Sequence, residues 1–230
     1  VPGNILDGVR AVFFDAVGTL LFPDPPAAEI YSRVAERHGL DIAAAVVRER
    51  FWAAYQAEEE VDRAAGWVTS EVREAMRWRR IVSDSLAGVR DPDSCFHELF
   101  HHFARPDAWS LNPRANAVLK GILERGIDVG MGSNYDARLL AVVAGHPELA
   151  SLRDRVVISA QVGYRKPARE FYREIGRAAG CDPSEILFVG DDAENDYEGA
   201  RSAGLKSVLL DSRGDKTGLA QVADLSRILD

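Results

Sequence analysis

A three-layer α/β fold is predicted for this chain: a parallel sheet covered on both faces, with a block of helices inserted after the first strand. Three features predict it. Five apolar runs of about four residues, bounded by polar residues or glycine and lacking clean alternation, have the look of strands buried on both faces. Helical patterns separate the later runs, and strand–helix–strand repetition implies right-handed crossovers. The segment 22–108, in contrast, carries helical patterns alone.

In chain order, the first strand is Ala11–Phe14. Pro23, Pro25 and Pro26 mark the entry to the inserted segment. Within it, helices are predicted over Glu29–His38 before Gly39, Ala43–Glu60, Glu71–Leu86 and Cys95–Phe103. Thr69 or Ser70 can cap the third, and Asp91-Pro92 can open the fourth. Pro106 lies near the exit, and no strand is expected between Phe14 and Asp128. The helix Ala115–Arg125 places Val118, Ile122 and Leu123 on one face and stops at Gly126. The strands Asp128–Met131 and Arg155–Ile158 follow. A helix Ala168–Ala179 opens after Pro167 and closes at Gly180. Strand Ile186–Val189, helix Glu194–Ala203 before Gly204, and strand Ser207–Leu210 complete the repeat. The tail from Asp211 contains Gly214 and Gly218 and is expected to close with a short helix around Leu225.

The chain has 230 residues, 47% hydrophobic and 28% charged, enough for one full core plus an insertion. A net charge of −8 argues against nucleic-acid backbones and anionic membranes as partners. No apolar run approaches the roughly 20 residues of a membrane-spanning helix. The two cysteines, Cys95 and Cys181, have no metal-binding or CxxC spacing. With no leader-like opening, they lead to the expectation of a reducing, cytoplasmic setting.

Four separated segments each place polar residues just beyond a predicted strand, where the carboxyl ends of a parallel sheet form a crevice. They contribute Asp15, then Ser133 and Asn134, then Lys166, then Asp191 and Asp192 with Asp196 a turn later. Clustered carboxylates repel unless a cation or proton lies between them. Oxygen ligands suit Mg²⁺. A carboxylate nucleophile, a metal, a lysine and a hydroxyl together fit phosphoryl transfer.

These residues also carry a resemblance. Asp15-Ala-Val-Gly-Thr-Leu-Leu21, Ser133-Asn134, Lys166-Pro167 and Gly190-Asp-Asp-Ala-Glu-Asn-Asp196 resemble, in order, the four motifs of the haloacid dehalogenase-like (HAD) hydrolase superfamily. The helices after the first motif look like the C1 cap of subfamily IA, and the stretches Ser133–Leu139 and Gly190–Ala200 are similar to its REG-2-like branch. The resemblance implies a Rossmannoid core over 1–21 and 109–230, with a cap over 22–108. It implies that Asp15 attacks in line and that Mg²⁺ sits on Asp15, the Val17 carbonyl and Asp191 or Asp192. Lys166 would neutralise charge, positioned by Asp196 or Asp192. Ser133 would bind the transferring group, Asn134 would bind or orient it, and Thr19 would support the loop. The expected function is a Mg²⁺-dependent phosphatase acting on a small soluble phosphate.

One position departs from the pattern. Most phosphatases resembling this chain carry a second Asp two positions after the nucleophile; here Val17 stands there. General acid–base help is worth about 10²–10⁴-fold, so the loss weighs on alkyl esters more than on acyl or aryl phosphates. A cap carboxylate such as Glu58, Glu59 or Glu60 is a possible substitute. The alternatives are a metal-binding protein of this fold with weak catalysis, or a 2-haloacid dehalogenase. The acidic pair Asp191 and Asp192 opposes the latter, because it would repel a haloacid carboxylate. A phosphonate hydrolase needs a cap lysine, and 22–108 contains none.

Other motifs carry less. His97-Glu-Leu-Phe-His101 matches HExxH but offers no third zinc ligand, and reads as a cap helix with exposed histidines. Arg77-Trp-Arg-Arg80 is either a grip for an anionic substrate or a solvated helix face. Gly130-Met-Gly132 lacks the spacing of a nucleotide-binding loop.

Overall fold

The structure is a computed structural model that describes residues 4–212, 214 and 218–230. Residues 1–3 of the expected core and 213 and 215–217 of the expected tail lie outside the described residues. The chain opens with β1 (Ala11–Phe14) and β2 (Leu21–Pro23). Four helices follow: α1 (Ala27–Arg37), α2 (Ala44–Ala64), α3 (Glu71–Ser85) and α4 (Pro92–His102). Next come β3 (Trp109–Leu111), α5 (Ala115–Leu123), β4 (Asp128–Ser133), α6 (Arg138–Gly145) and β5 (Val156–Ile158). The last part runs α7 (Ser159–Val162), α8 (Arg169–Ala179), β6 (Ile186–Gly190), a π-helical segment Ala193–Glu198 leading into α9 (Gly199–Ser202), β7 (Lys206–Leu210) and β8 (Gln221–Val222).

Six strands pair in the order β5-β4-β1-β6-β7-β8, all parallel. All four residues of β1 are fully buried, which is why its sequence is uniformly apolar. One face of the sheet packs through Val12, Phe14, Val129 and Met131 onto Val118, Leu119 and Ile122 of α5. The other packs through Phe13 and Phe188 onto Phe171, Tyr172 and Ile175 of α8. The strand order reverses at β1, between β4 and β6, and the polar loops emerge there.

The inserted helices bury a hydrophobic cluster of their own, including Ile30, Val34, Val82, Leu86, Phe96 and Leu99. The expected caps form: Ser70 accepts from the amide of Arg73, and Asp91 from that of Ser94. The expectation of no strand between Phe14 and Asp128 is corrected. β2 and β3 form a two-stranded antiparallel ribbon with Phe22 opposite Ser110, 88 residues away. Each is three residues long and β2 ends in proline, so neither shows a readable period; long-range pairing makes them strands. β8, two residues long, is a further strand beyond the five expected, and the tail closes with a helical turn, Leu225–Leu229, capped by Asp224. Among the described residues, no helix is long and apolar enough to cross a membrane.

Candidate active site

Asp15 is the first residue beyond β1, fixed by its amide donating to the carbonyl of Val189 at 2.8 Å. The chain then turns back on itself, with the amides of Leu20 and Leu21 both donating to the Ala16 carbonyl. Gly18 makes this turn at φ +96°, and a Cβ there would lie 2.3 Å from a carboxylate oxygen of Asp191. No L-residue fits both constraints. Asp191, beyond β6, therefore rests directly on the loop that follows Asp15, and the Thr19 hydroxyl lies 3.4 Å from its Oδ1. Val17 is more than one-third exposed and faces the same cavity.

Lys166 is the electrostatic centre. Its buried Nζ donates to Asp15 Oδ1 and Asp196 Oδ1, each at 2.6 Å, and to the Gly132 carbonyl at 3.2 Å. Of the two carboxylates expected to position it, Asp196 does so; the other Asp196 oxygen accepts from the Asp192 amide. Asn134 holds the lysine's loop, its carboxamide donating to the Lys166 carbonyl at 3.1 Å and accepting from its amide at 2.7 Å. Ser133, at the end of β4, is buried on the cavity wall. Asp192 lies at the rim, where its Oδ1 accepts from the amides of Glu194 and Asn195 and caps the following turn. The structure thus brings Asp15, Lys166, Asp196 and Asp191 together, with Ser133 and Asn134 beside them, and turns Asp192 partly toward the backbone.

Oxygens of Asp15, Asp191 and Asp196 lie within 4.8 Å of one another. Burial pushes all three carboxyls above the usual range; Lys166 opposes the shift in each, and the neighbouring carboxylates reinforce it. Lys166 is held above its ordinary value: burial opposes its charge, but Asp15 and Asp196 outweigh burial. One lysine against three carboxylates leaves uncompensated negative charge in a low-dielectric site. Hard oxygen donors around such a deficit suit a divalent cation.

The helical side of the cavity holds what sequence reasoning missed. A cavity of about 270 Å³ separates the carboxylates from aromatic side chains of the inserted helices. Phe51 makes an edge contact with Trp52 at 5.7 Å between centroids and a stacked one with Tyr55 at 6.1 Å; Trp78 lies beside them. The period of α2 and α3 does not distinguish an aromatic facing a cavity from one facing a core. The basic run of α3 does not reach the cavity with its charges. Arg77 is buried against Asp62 and Glu59, Arg80 pairs with Glu58, and Arg79 with Asp93; only Trp78 of the four lines the wall. The carboxylates considered as substitutes for the missing acid are engaged too: Glu58 with Arg73, Glu59 with Arg77 and Arg165, and Glu60 with Arg63. The HExxH residues lie on α4, with His97 and His101 exposed and Glu98 bound by Arg37 and His38.

A family model described as haloacid dehalogenase-like hydrolase matches residues 9–204. The haloacid dehalogenase-like hydrolase domain-containing protein 3 of Danio rerio is 31% identical over 221 residues, covering 92% of this chain and 89% of that protein. The ribulose-1,5-bisphosphate 5-phosphatase of Halopiger xanaduensis is 27% identical over 223 residues, covering 96% and 93%. Among solved structures, a defluorinating L-2-haloacid dehalogenase has a TM-score of 0.75 at 20% identity, covering 96% of this chain and 94% of that one, a likeness of fold.

Proposed function

This chain belongs to the haloacid dehalogenase-like hydrolase family, and we propose that within it the protein is a Mg²⁺-dependent phosphatase of small soluble phosphates, with Asp15 as nucleophile. The observation that carries this reading is the Asp15–Lys166–Asp196 chain, two 2.6 Å contacts ending beside Asp191. Lys166 fixes one Asp15 oxygen and leaves the other for attack on phosphorus. Asp196 and Asn134 hold the lysine through its ammonium and its backbone. The hydroxyl of Ser133 and the Lys166 ammonium stabilise the equatorial oxygens of the transferring group. The phosphoryl group passes to Asp15 and then to water. Asp15, Asp191 and the Val17 carbonyl would hold the cation, with Asp192 at the rim; when bound, it supplies neutralisation of the substrate's and the carboxylates' charge.

In this reading the helices of 22–108 act as a cap that shields the site from water and supplies the specificity wall. The two cysteines are free, in keeping with the proposed cytoplasmic setting. A 2-haloacid dehalogenase is disfavoured because Asp191 and Asp192 on the cavity would repel a haloacid carboxylate. The test is phosphate release from acetyl phosphate with Mg²⁺. Wild type should turn over, and Asp15→Asn should fall by at least about 10³-fold. Chloride release from 2-chloropropionate without metal, with no phosphatase turnover, would overturn the proposal.

A further inference from the structure

We propose that the substrates are aryl phosphates: monoesters of a phenolic hydroxyl, carrying a single phosphate and an uncharged aromatic group. The inference deepens the phosphatase reading and rests on it. Two independent features of the cavity lead to it.

The first is the wall opposite the carboxylates. Phe51, Trp52 and Tyr55 of α2 and Trp78 of α3 form a cluster of ring faces and edges on the cavity, and Tyr31 of α1 joins it at 5.6 Å from Phe51. Ring clusters of this kind take up a flat apolar guest. No free cation accompanies them. Among the described residues lining the cavity, the cations are Lys166, bound to Asp15 and Asp196, and Arg138. Arg138 grips Asp136 through two bonds of 2.8 and 2.7 Å, donates to the Phe100 carbonyl, and lies 3.5 Å from the Phe100 ring centre. A second phosphate or a carboxylate at the far end of the substrate would meet no unpaired positive charge. A sugar bisphosphate, such as the substrate named for the Halopiger relative, is therefore a poor match.

The second feature is the leaving-group side. Val17 carries no proton, and the acids lining the cavity are Asp15, Asp191, Asp192 and Asp196, all at the carboxylate end. The tyrosine hydroxyls of the wall are held above their ordinary values by burial, which makes them weaker acids. With a hydrocarbon at position 17 and the cavity's carboxyl groups gathered around Asp15, no side chain on the aromatic wall offers a strong acid to the leaving oxygen, which favours a group that departs as its anion. Asp15 attacks phosphorus, the new P–O bond forms, and the P–O bond to the ring breaks with its electron pair on a phenolate. Water then attacks the phosphorus, the Asp15–phosphorus bond breaks with its pair returning to the carboxylate, and the water protons pass to phosphate and solvent. A phenolate leaves without protonation far more easily than an alkoxide does.

Four substrates test this with Mg²⁺: phenyl phosphate, benzyl phosphate, acetyl phosphate and ribulose 1,5-bisphosphate. The kcat/KM for phenyl phosphate should exceed that for benzyl phosphate by about 100-fold or more, and the bisphosphate should be the poorest. Trp78→Ala should lower kcat/KM on phenyl phosphate about 10-fold more than on acetyl phosphate. Phenol should inhibit wild-type acetyl phosphate turnover competitively, a measurement independent of how the variant folds. Turnover of acetyl phosphate with no advantage of phenyl over benzyl phosphate, or with the bisphosphate preferred, overturns the aryl assignment and leaves the phosphatase reading standing. Failure on all four overturns the phosphatase reading and this one with it.

Discussion

Val17 lies two residues beyond Asp15, the proposed nucleophile, and presents a hydrocarbon side chain to the cavity. Because the loop around it is closed by backbone bonds from Leu20 and Leu21 to Ala16, a substitution at 17 changes chemistry more than shape. Val17→Asp should place an acid beside the leaving oxygen and raise kcat on benzyl phosphate by about 10²-fold. Unchanged benzyl phosphate turnover in a variant that still hydrolyses acetyl phosphate would count against this account of the loop. The neighbouring carboxylates make a second prediction. Mg²⁺ at ten times its Kd should stabilise the wild type by about 1.4 kcal/mol, read as a Tm rise of roughly 3–6 °C. EDTA should reverse the rise and Asp191→Asn should abolish it. An equal rise in Asp191→Asn would remove that residue from the metal site.

Where α2 and α3 meet the core, one arginine gathers the contacts. Arg165 immediately precedes Lys166, and its buried guanidinium bonds Glu59 at 2.9 Å and Glu74 at 2.5 Å and approaches Asp62 at 3.4 Å. The backbone joins in: the Arg165 amide donates to Trp67 and the Thr69 amide to Gly163. This latch ties the loop of Lys166 to the helices above the cavity. Arg165→Met should cost about 3–5 kcal/mol, because it leaves the buried Glu74 carboxylate without a bonded cation, while Glu59 and Asp62 keep Arg77, and denaturant unfolding measures it. A loss below 1 kcal/mol would show the latch to be slack. The pairing also sets a pH dependence. Burial opposes the charge of Glu74, but Arg165 and Arg77 outweigh it and hold the carboxyl below its ordinary value. Its contribution is complete above the unfolded value near 4.5 and is lost as pH falls through the lower folded value. Glu74→Gln should therefore be less stable than wild type at neutral pH, with a shallower loss of stability on acidification; parallel acid limbs would contradict this.

The molecule as a whole is a parallel sheet whose helical insertion leaves through β2 and returns through β3, so one short ribbon carries both connections. The carboxyl end of the sheet faces the insertion, and the cavity lies between them. A second tether, Arg63 bonded through both terminal nitrogens to Glu194, joins α2 to the segment beyond β6. Two tethers on the α2–α3 side predict that any opening of the insertion occurs away from it. In hydrogen exchange, the amides of Thr69 and Arg165 should be as slow as those within α3. Fast exchange at both, with α3 still protected, would show that this side opens.

Much of this architecture is legible along the chain. Strands buried on both faces must be apolar throughout, so all five expected strands appear within a residue or two of their predicted bounds. The residues beyond those strands, Asp15, Ser133, Lys166 and Asp191, were legible for the same reason: a parallel sheet gathers its carboxyl-terminal loops at one edge. Partnership was not legible. Nothing local distinguishes Asp196 from Asp192 as the lysine's anchor, shows that Asn134 clamps the Lys166 backbone, or pairs Phe22 with Ser110. Nor does helical period reveal that Arg77 turns to Asp62 while Trp78 beside it turns to the cavity. Burial and local propensity act residue by residue and leave a trace in composition. Ion pairs, ribbons and cavity walls join residues far apart in sequence, and their identity is set only when the fold brings both partners to one place.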